Sequence, residues 1–73
     1  MTASASSTVD VRDMLCAQAL AVVAQAAARL PAGGCVDVAY NTEDVRRDVL
    51  AWARERGWTI DATMAGTLRV IRG

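Results

Sequence analysis

The chain has 73 residues, enough for one domain, and its 53% hydrophobic and 22% charged residues are a globular composition. Its eight basic residues are all arginine and balance eight acidic residues. The chain therefore lacks the excess of positive charge with which proteins bind the phosphate backbone of nucleic acids. Without histidine there is no imidazole base, and the spacing of the two cysteines matches no zinc site. We therefore expect neither a metal nor an organic cofactor.

The amino-terminal segment MTASASST is small and polar, unlike a secretory signal, and no stretch has the ~20 apolar residues of a membrane span. These features predict a cytoplasmic protein that makes no membrane contact. In that compartment thiols stay reduced, so a disulfide between Cys16 and Cys35 is not favoured. Residues 1–7 are predicted to be a flexible tail, and residues 8–73 are predicted to form the domain.

The first predicted elements are a strand and a helix. From Thr8 to Arg12 the residues alternate, with Val9 and Val11 on one face, as in a half-buried strand. The segment CAQALAVVAQAAARL is rich in alanine and leucine, the best helix formers. The proline and glycines of the following LPAGG predict the end of this helix.

A second strand and helix follow. The segment CVDVAY alternates again and predicts a strand. NTEDVRRDVLAWARERG predicts a helix that is capped by Asn41 or Thr42 and has acidic residues in its first turn, where the helix dipole favours them. Gly57 supplies the usual left-handed stop.

The last two predicted strands, WTIDAT and TLRVI, flank MAG, which indicates a hairpin. The whole order is βαβαββ, and the economical α+β solution is a two-layer α/β sandwich, with two helices packed on one face of a mixed four-stranded sheet. The other sheet face, open to water or a partner, would carry Asp10, Asp37, Asp61 and Arg69. The predicted core consists of Val11, Leu20, Val23, Val38, Val49, Trp52, Ile60 and Val70.

Cys16 lies where the exit loop of the first strand becomes the first helix. Helix N-termini carry unpaired amides and partial positive charge, and both stabilise a thiolate, so the pKa of a cysteine there can fall below ~8.5. Arg12 is a second cationic influence, whereas the carboxylate of Asp13 opposes it. These features predict that Cys16 is more reactive than Cys35, for which a structural role is favoured over that of a resolving thiol.

Asp10-x-Arg12-x-x-x-Cys16 resembles the opening motif of the TusA/SirA-like sulfur carrier (sulfurtransferase) family. NTEDVRRDVLAWARERGW is similar to that family's second helix, with its acidic start, Asp-Val pair, aromatic residue and glycine. The resemblance covers roughly residues 8–73. The positions that carry it in the second helix are Asp48, Val49, Trp52 and Gly57.

The resemblance implies the same sandwich and a working thiol at Cys16, the candidate catalytic residue. Asp10 and Arg12 would support it by shaping the strand exit, and Arg12 could steady an anionic persulfide. The implied protein is a monomeric sulfur carrier in tRNA thiolation or broader sulfur metabolism, without direct nucleic-acid contact. It would accept a persulfide sulfur from a cysteine desulfurase or rhodanese and relay it to a downstream sulfur-relay protein.

The chain departs from the family's usual Gly-x-x-Cys-Pro-x-Pro pattern at three positions. Asp13 replaces the glycine, and Ala17 and Ala19 replace the prolines. Proline in the first turn pre-sets the helical backbone and removes amides that have no partner. Alanine should keep the helix but leave extra free amides near the thiol and a less rigid loop.

A second interpretation is a non-catalytic binding or regulatory paralogue that keeps the fold and presents the open sheet face, or the loop near Cys16, to a partner. Nucleic-acid binding on the sheet is disfavoured, because that face has no aromatic stripe and the charge is balanced. Asp48 and Trp52 are predicted to be packing residues. Trp58, at the start of a strand, fits either the core or an exposed contact.

Overall fold

The helices and strands follow one another in the predicted order. The computed structural model describes residues 6–73, without the side chain of Thr63. Within these residues no helix has the length and apolar character needed to cross a membrane. The elements are β1 (Ser6–Asp10), α1 (Cys16–Ala28), β2 (Cys35–Ala39), α2 (Glu43–Glu55), β3 (Thr59–Met64) and β4 (Thr67–Ile71).

The four strands form one mixed sheet in the order β1-β2-β4-β3. β1 runs parallel to β2, and β4 runs antiparallel to both β2 and β3. β2 and β3 therefore point the same way, and each helix is a crossover between parallel strands, which places both helices on the same side. The two helices contact each other above the sheet, so the predicted α+β sandwich is confirmed.

β1 begins earlier than the alternating pattern predicts. Ser6 and Ser7, assigned by sequence to a tail, pair with Cys35 and Val36 in the parallel ladder, and β1 ends at Asp10 rather than at Arg12. Serines show no apolar alternation, so only the backbone pairing with β2 makes this segment a strand. The rest of the predicted tail, residues 1–5, lies outside the described residues.

The two helices begin differently. α2 is capped by Thr42, whose Oγ1 accepts the amide of Val45 at 3.3 Å, and it ends before Gly57, which has a φ of 73°. α1 is preceded by Leu15, whose side chain has no acceptor. Instead the Oε1 of Gln18 accepts the Leu15 amide at 3.3 Å, so the helix starts at the next residue.

The core between the sheet and the helices is built mainly from valine. Of the predicted core residues five are buried, whereas Leu20, Trp52 and Ile60 are partly buried and pack against it. None of the buried side chains among the described residues is polar or charged. The buried apolar side chains are those of Val11, Ala19, Val23, Ala27, Leu30, Val36, Val38, Val45, Val49, Ala53, Leu68 and Val70.

The sheet face away from the helices is polar, as predicted. In register, Asp37 of β2 lies opposite Arg69 of β4, which lies opposite Asp61 of β3. The Arg69 Nε donates to the Asp37 Oδ1 at 2.8 Å. The hairpin turn between β3 and β4 contains Gly66, whose φ of 78° suits glycine.

Candidate functional site

Cys16 is the first residue of α1 and is partly exposed. β1 and β2 are parallel, and their last residues, Asp10 and Ala39, lie opposite each other. The loops that follow the two strands therefore leave the same end of the sheet. One loop leads to Cys16 and the other to the start of α2. The topology therefore places the thiol next to the first turns of the second helix.

A side-chain bridge fastens these two loops together. The Asp13 amide donates to the Asn41 Oδ1 at 3.0 Å, and the Asn41 Nδ2 donates to the Asp13 Oδ1 at 2.8 Å. Asp13 has a φ of 66°, a left-handed conformation that aspartate tolerates better than most residues. The loop before Cys16 is thus held against the start of α2. Sequence reasoning treated Asn41 only as a potential cap, because nothing local links it to a residue 28 positions away.

Arg12 and Asp10 form a bidentate ion pair at the exit of β1. The Arg12 Nε donates to the Asp10 Oδ1 at 3.0 Å, its second guanidinium nitrogen donates to Oδ2 at 2.8 Å, and its amide also reaches Oδ1. Hydrogen bonds from the Arg12 side chain and then from its amide lower the pKa of Asp10 to about 2. Both side chains are exposed, so the pair shapes the surface of the turn rather than the core.

The carboxylate of Asp48 on α2 lies close enough to the Cys16 thiol to influence its titration. Hydrogen bonding to Asp48, followed by partial burial and by the negative charges of Asp48 and Asp44, raises the pKa of Cys16 above its ordinary value. Its own backbone amide acts in the opposite direction, as expected at a helix N-terminus. The prediction of a lowered thiol pKa is therefore wrong, because α2 brings carboxylates against the start of α1.

Asp48 was predicted to be a packing residue, and its contact with the thiol was missed. It shares one face of α2 with Asp44 because the two are four positions apart, and it lies beside the buried Val45 and Val49. The sequence does show that Asp48 is a carboxylate at the border of the buried face of α2, which is a sign of a functional position. It does not show that Cys16 is the neighbour, because this depends on how the two helices pack.

The alanines that replace the family's prolines differ in their surroundings. Ala17 is exposed, whereas Ala19 is fully buried and its amide donates to the Leu15 carbonyl at 2.8 Å. Only the first-turn amides of α1 are then available to the thiol, and the amide of Ala19 is already used within the helix. This corrects the expectation that both alanines add free amides near the thiol.

Cys35 lies at the far end of β2 from the Cys16 loop, and both thiols are free. The four steps from Cys35 to Ala39 span ~13 Å of strand, whereas a disulfide needs Cα atoms within ~7 Å. Cys35 also alternates with the buried Val36, so it faces the open side of the sheet. Within one chain it therefore cannot reach Cys16 as a resolving thiol.

Comparison of the chain with protein-family models, with curated proteins and with solved structures gives no match in any of the three. Within the described part of the chain, no group of three or more cysteine, aspartate or glutamate side chains is placed to hold a metal ion. The chemistry available at this end of the molecule is that of one partly exposed thiol, Cys16, with the carboxylate of Asp48 nearby.

Proposed function

We propose that the protein is a cytoplasmic sulfur carrier whose working group is Cys16. It accepts a sulfur atom as a persulfide from a cysteine desulfurase or rhodanese and passes it to a downstream relay protein, in tRNA thiolation or sulfur metabolism. The observation that carries the proposal is the position of Cys16: a partly exposed thiol on the first residue of a helix, at the end of the sheet where two loops are bridged.

Exposure matters because a carrier must present its sulfur to two different proteins. Leu15, immediately before Cys16, has 74% of its surface exposed, which provides an apolar contact beside the thiol. The bridge between Asp13 and Asn41 holds the loop in place between encounters. A donor or acceptor can thus approach a thiol whose surroundings are already ordered.

The transfer balances without an external oxidant or reductant. The donor carries the sulfur as a cysteine persulfide, and the sulfur of Cys16 attacks its outer sulfur atom. A new S–S bond forms on Cys16, the donor's S–S bond breaks, and the donor cysteine leaves as a thiolate with the electron pair. The proton of the Cys16 thiol ends on that thiolate. In the second step an acceptor thiolate attacks the outer sulfur on Cys16 and forms a new S–S bond. The S–S bond to Cys16 breaks, and Cys16 leaves as a thiolate that takes up the proton released by the acceptor thiol.

In the proposed transfer, Asp48 is the local acceptor for the thiol proton. The attacking species is the thiolate, yet the pKa of Cys16 is raised, so the thiol has to lose a proton as it reacts. In the proposed step the nearby Asp48 carboxylate takes that proton and passes it to the leaving thiolate of the donor. Having no histidine, the chain must use such a carboxylate or a group from its partner.

The backbone at Asp13 supports the resemblance to the sulfur carrier family. This position carries glycine in the family, and here its φ is 66°, a conformation that glycine adopts at no cost. The aspartate that replaces it adds the bridge to Asn41, which compensates for the missing flexibility of glycine. The replacement therefore keeps the turn that leads to Cys16.

The test is persulfide loading in vitro. The purified protein is incubated with a cysteine desulfurase and cysteine, and intact mass spectrometry should show the added mass of one sulfur atom. Cys16→Ser should not be loaded, whereas the matched Cys35→Ser should load like the wild type. If neither a desulfurase nor a rhodanese loads the wild type, or if Cys16→Ser loads equally, the carrier proposal is wrong.

The raised pKa of Cys16 favours one alternative, a binding or regulatory paralogue without covalent chemistry. In that case Asp48 keeps the Cys16 thiol protonated, and Cys16 is a structural residue where α1 meets α2. The loading experiment separates the two functions. A wild type that stays unloaded with every donor, and a Cys16→Ser variant that still binds the wild-type partner, would establish the alternative.

A further inference from the structure

The eight arginines fall into two groups. Arg12, Arg46, Arg47 and Arg69 each form an ion pair with an aspartate or glutamate. The remaining four make no ion pair within residues 6–73. They are Arg29, Arg54, Arg56 and Arg72, which we call the arginine end of the molecule.

The topology brings these four residues to one end. Arg29 follows the last turn of α1, while Arg54 and Arg56 belong to the last turn of α2 and its cap. Each helix runs antiparallel to the strand that precedes it. The carboxyl ends of both helices therefore lie at the end of the sheet where β2 and β3 begin. Arg72 follows β4 at the same end, since its amide donates to the Gly34 carbonyl at 2.8 Å. The arginine end is thus opposite to Cys16.

A cleft opens at the arginine end between the two helices and the last strands. Its floor includes two indole rings, with centroids 5.2 Å apart and planes at 85°. Both rings are partly buried, and alanines from α1 form the opposite wall. The residues lining this tryptophan cleft are Ala24, Ala28, Trp52, Arg56, Trp58 and Arg72.

Each indole carries a guanidinium on its face. The Arg56 Cζ lies 4.9 Å from the Trp52 ring centroid, and the Arg72 Cζ lies 5.4 Å from that of Trp58. Arg72 is further held by two hydrogen bonds from one guanidinium nitrogen to the Ala27 and Leu30 carbonyls. A guanidinium that stacks on a ring presents its N–H groups at the ring's rim in a fixed orientation, which suits a carboxylate. Arg56 has its whole N–H edge for this purpose, whereas Arg72 keeps its Nε and its second terminal nitrogen.

Arg56 is the more available of the two. In the part of the chain described, its guanidinium makes neither an ion pair nor a hydrogen bond, and its contact is the ring of Trp52. We propose that the tryptophan cleft binds a short acidic segment of a partner protein, whose carboxylates are received by Arg56 and Arg72. This binding is independent of Cys16.

Charge and shape favour an acidic peptide over a nucleic acid. One face of each indole is already covered by a guanidinium, so the rings do not offer the bare stacking surfaces on which bases are held. The arginine end gathers four arginines around Glu55 of the last turn of α2, a short positive site rather than a stripe that could follow a phosphate backbone. A few carboxylates on an extended peptide match such a short site.

The test uses fluorescence anisotropy with a fluorescein-labelled peptide of six glutamates at low salt. Arg56→Gln should weaken binding about tenfold or more, because charge-assisted hydrogen bonds are lost. Arg47→Gln is the matched control: it removes the same charge from the same helix, where it is paired with Asp44, and should bind like the wild type. Arg56→Lys keeps the charge but not the planar guanidinium, so its affinity for the peptide should lie between those of Arg56→Gln and Arg47→Gln.

Circular dichroism would show that the variants remain folded, and Cys16→Ser should bind the peptide like the wild type even if it cannot be loaded with sulfur. Equal weakening by Arg56→Gln and Arg47→Gln would overturn the proposal, because it would reflect overall charge. Tighter binding of a thymidine oligonucleotide at the same site, displacement of the peptide by an equal concentration of free glutamate, or no detectable binding of the peptide would overturn it as well.

Discussion

Replacement of Trp52 by alanine tests the packing between α2 and the start of β3. Trp52 is partly buried against the core and meets the Trp58 ring edge-to-face. A buried area of ~150 Å² at ~25 cal/mol per Å² corresponds to ~4 kcal/mol, which falls to ~3 kcal/mol because unfolded chains already bury part of this surface. The ring contact adds ~1 kcal/mol. We therefore expect a loss of ~4 kcal/mol.

Such a loss is large for this chain, because 73 residues correspond to a total stability of about 4–11 kcal/mol. The midpoint of thermal unfolding should fall by about 15–30 °C. Urea and thermal unfolding followed by far-ultraviolet circular dichroism would measure both quantities. The matched control is Met64→Ala, at a side chain with 66% of its surface exposed, which should change stability by at most ~0.5 kcal/mol. A Trp52→Ala variant within ~1 kcal/mol of the wild type would refute the packing argument.

Three further changes have defined outcomes. Asp48→Asn removes the charge and the acceptor that raise the pKa of Cys16, so iodoacetamide should alkylate the variant faster at neutral pH; an unchanged rate–pH profile would contradict the assigned contact. Arg12→Gln should return the pKa of Asp10 from about 2 towards 3.8. Because a lowered carboxyl pKa stabilises the fold above 3.8 and this contribution disappears as the pH falls through 2, the stability of the variant should depend less on pH between 4 and 2. NMR titration of the carboxyl carbon would measure the midpoint, and a value still near 2 would rule out the ion pair as its cause. Ala19→Pro should destabilise the protein by ~3 kcal/mol, since it removes the first hydrogen bond of α1, and urea unfolding with an unchanged midpoint would contradict that assignment.

Local interactions explain why the sequence alone predicted the helices and strands. The cap at Thr42, the acidic first turn of α2 and the left-handed Gly57 act within a few residues of one another, so their pattern is readable along the chain. The same holds for the hairpin at Gly66 and for the alternation that separates Val36 and Val38 from the open sheet face. These patterns also determined the layer arrangement, because each apolar face needs a cover.

The candidate site depended on contacts between distant segments. The sequence correctly placed Cys16 at the start of a helix, but the sign of its pKa shift came from Asp48, which is 32 positions later and adjacent only after the helices pack. The bridge from Asp13 to Asn41 has the same origin. A helix dipole acts locally and can be anticipated, whereas a neighbouring carboxylate depends on the packing of two helices. The sequence by itself thus determined where the thiol sits, and only the tertiary structure decided its electrostatic environment, because charges act through space rather than along the chain.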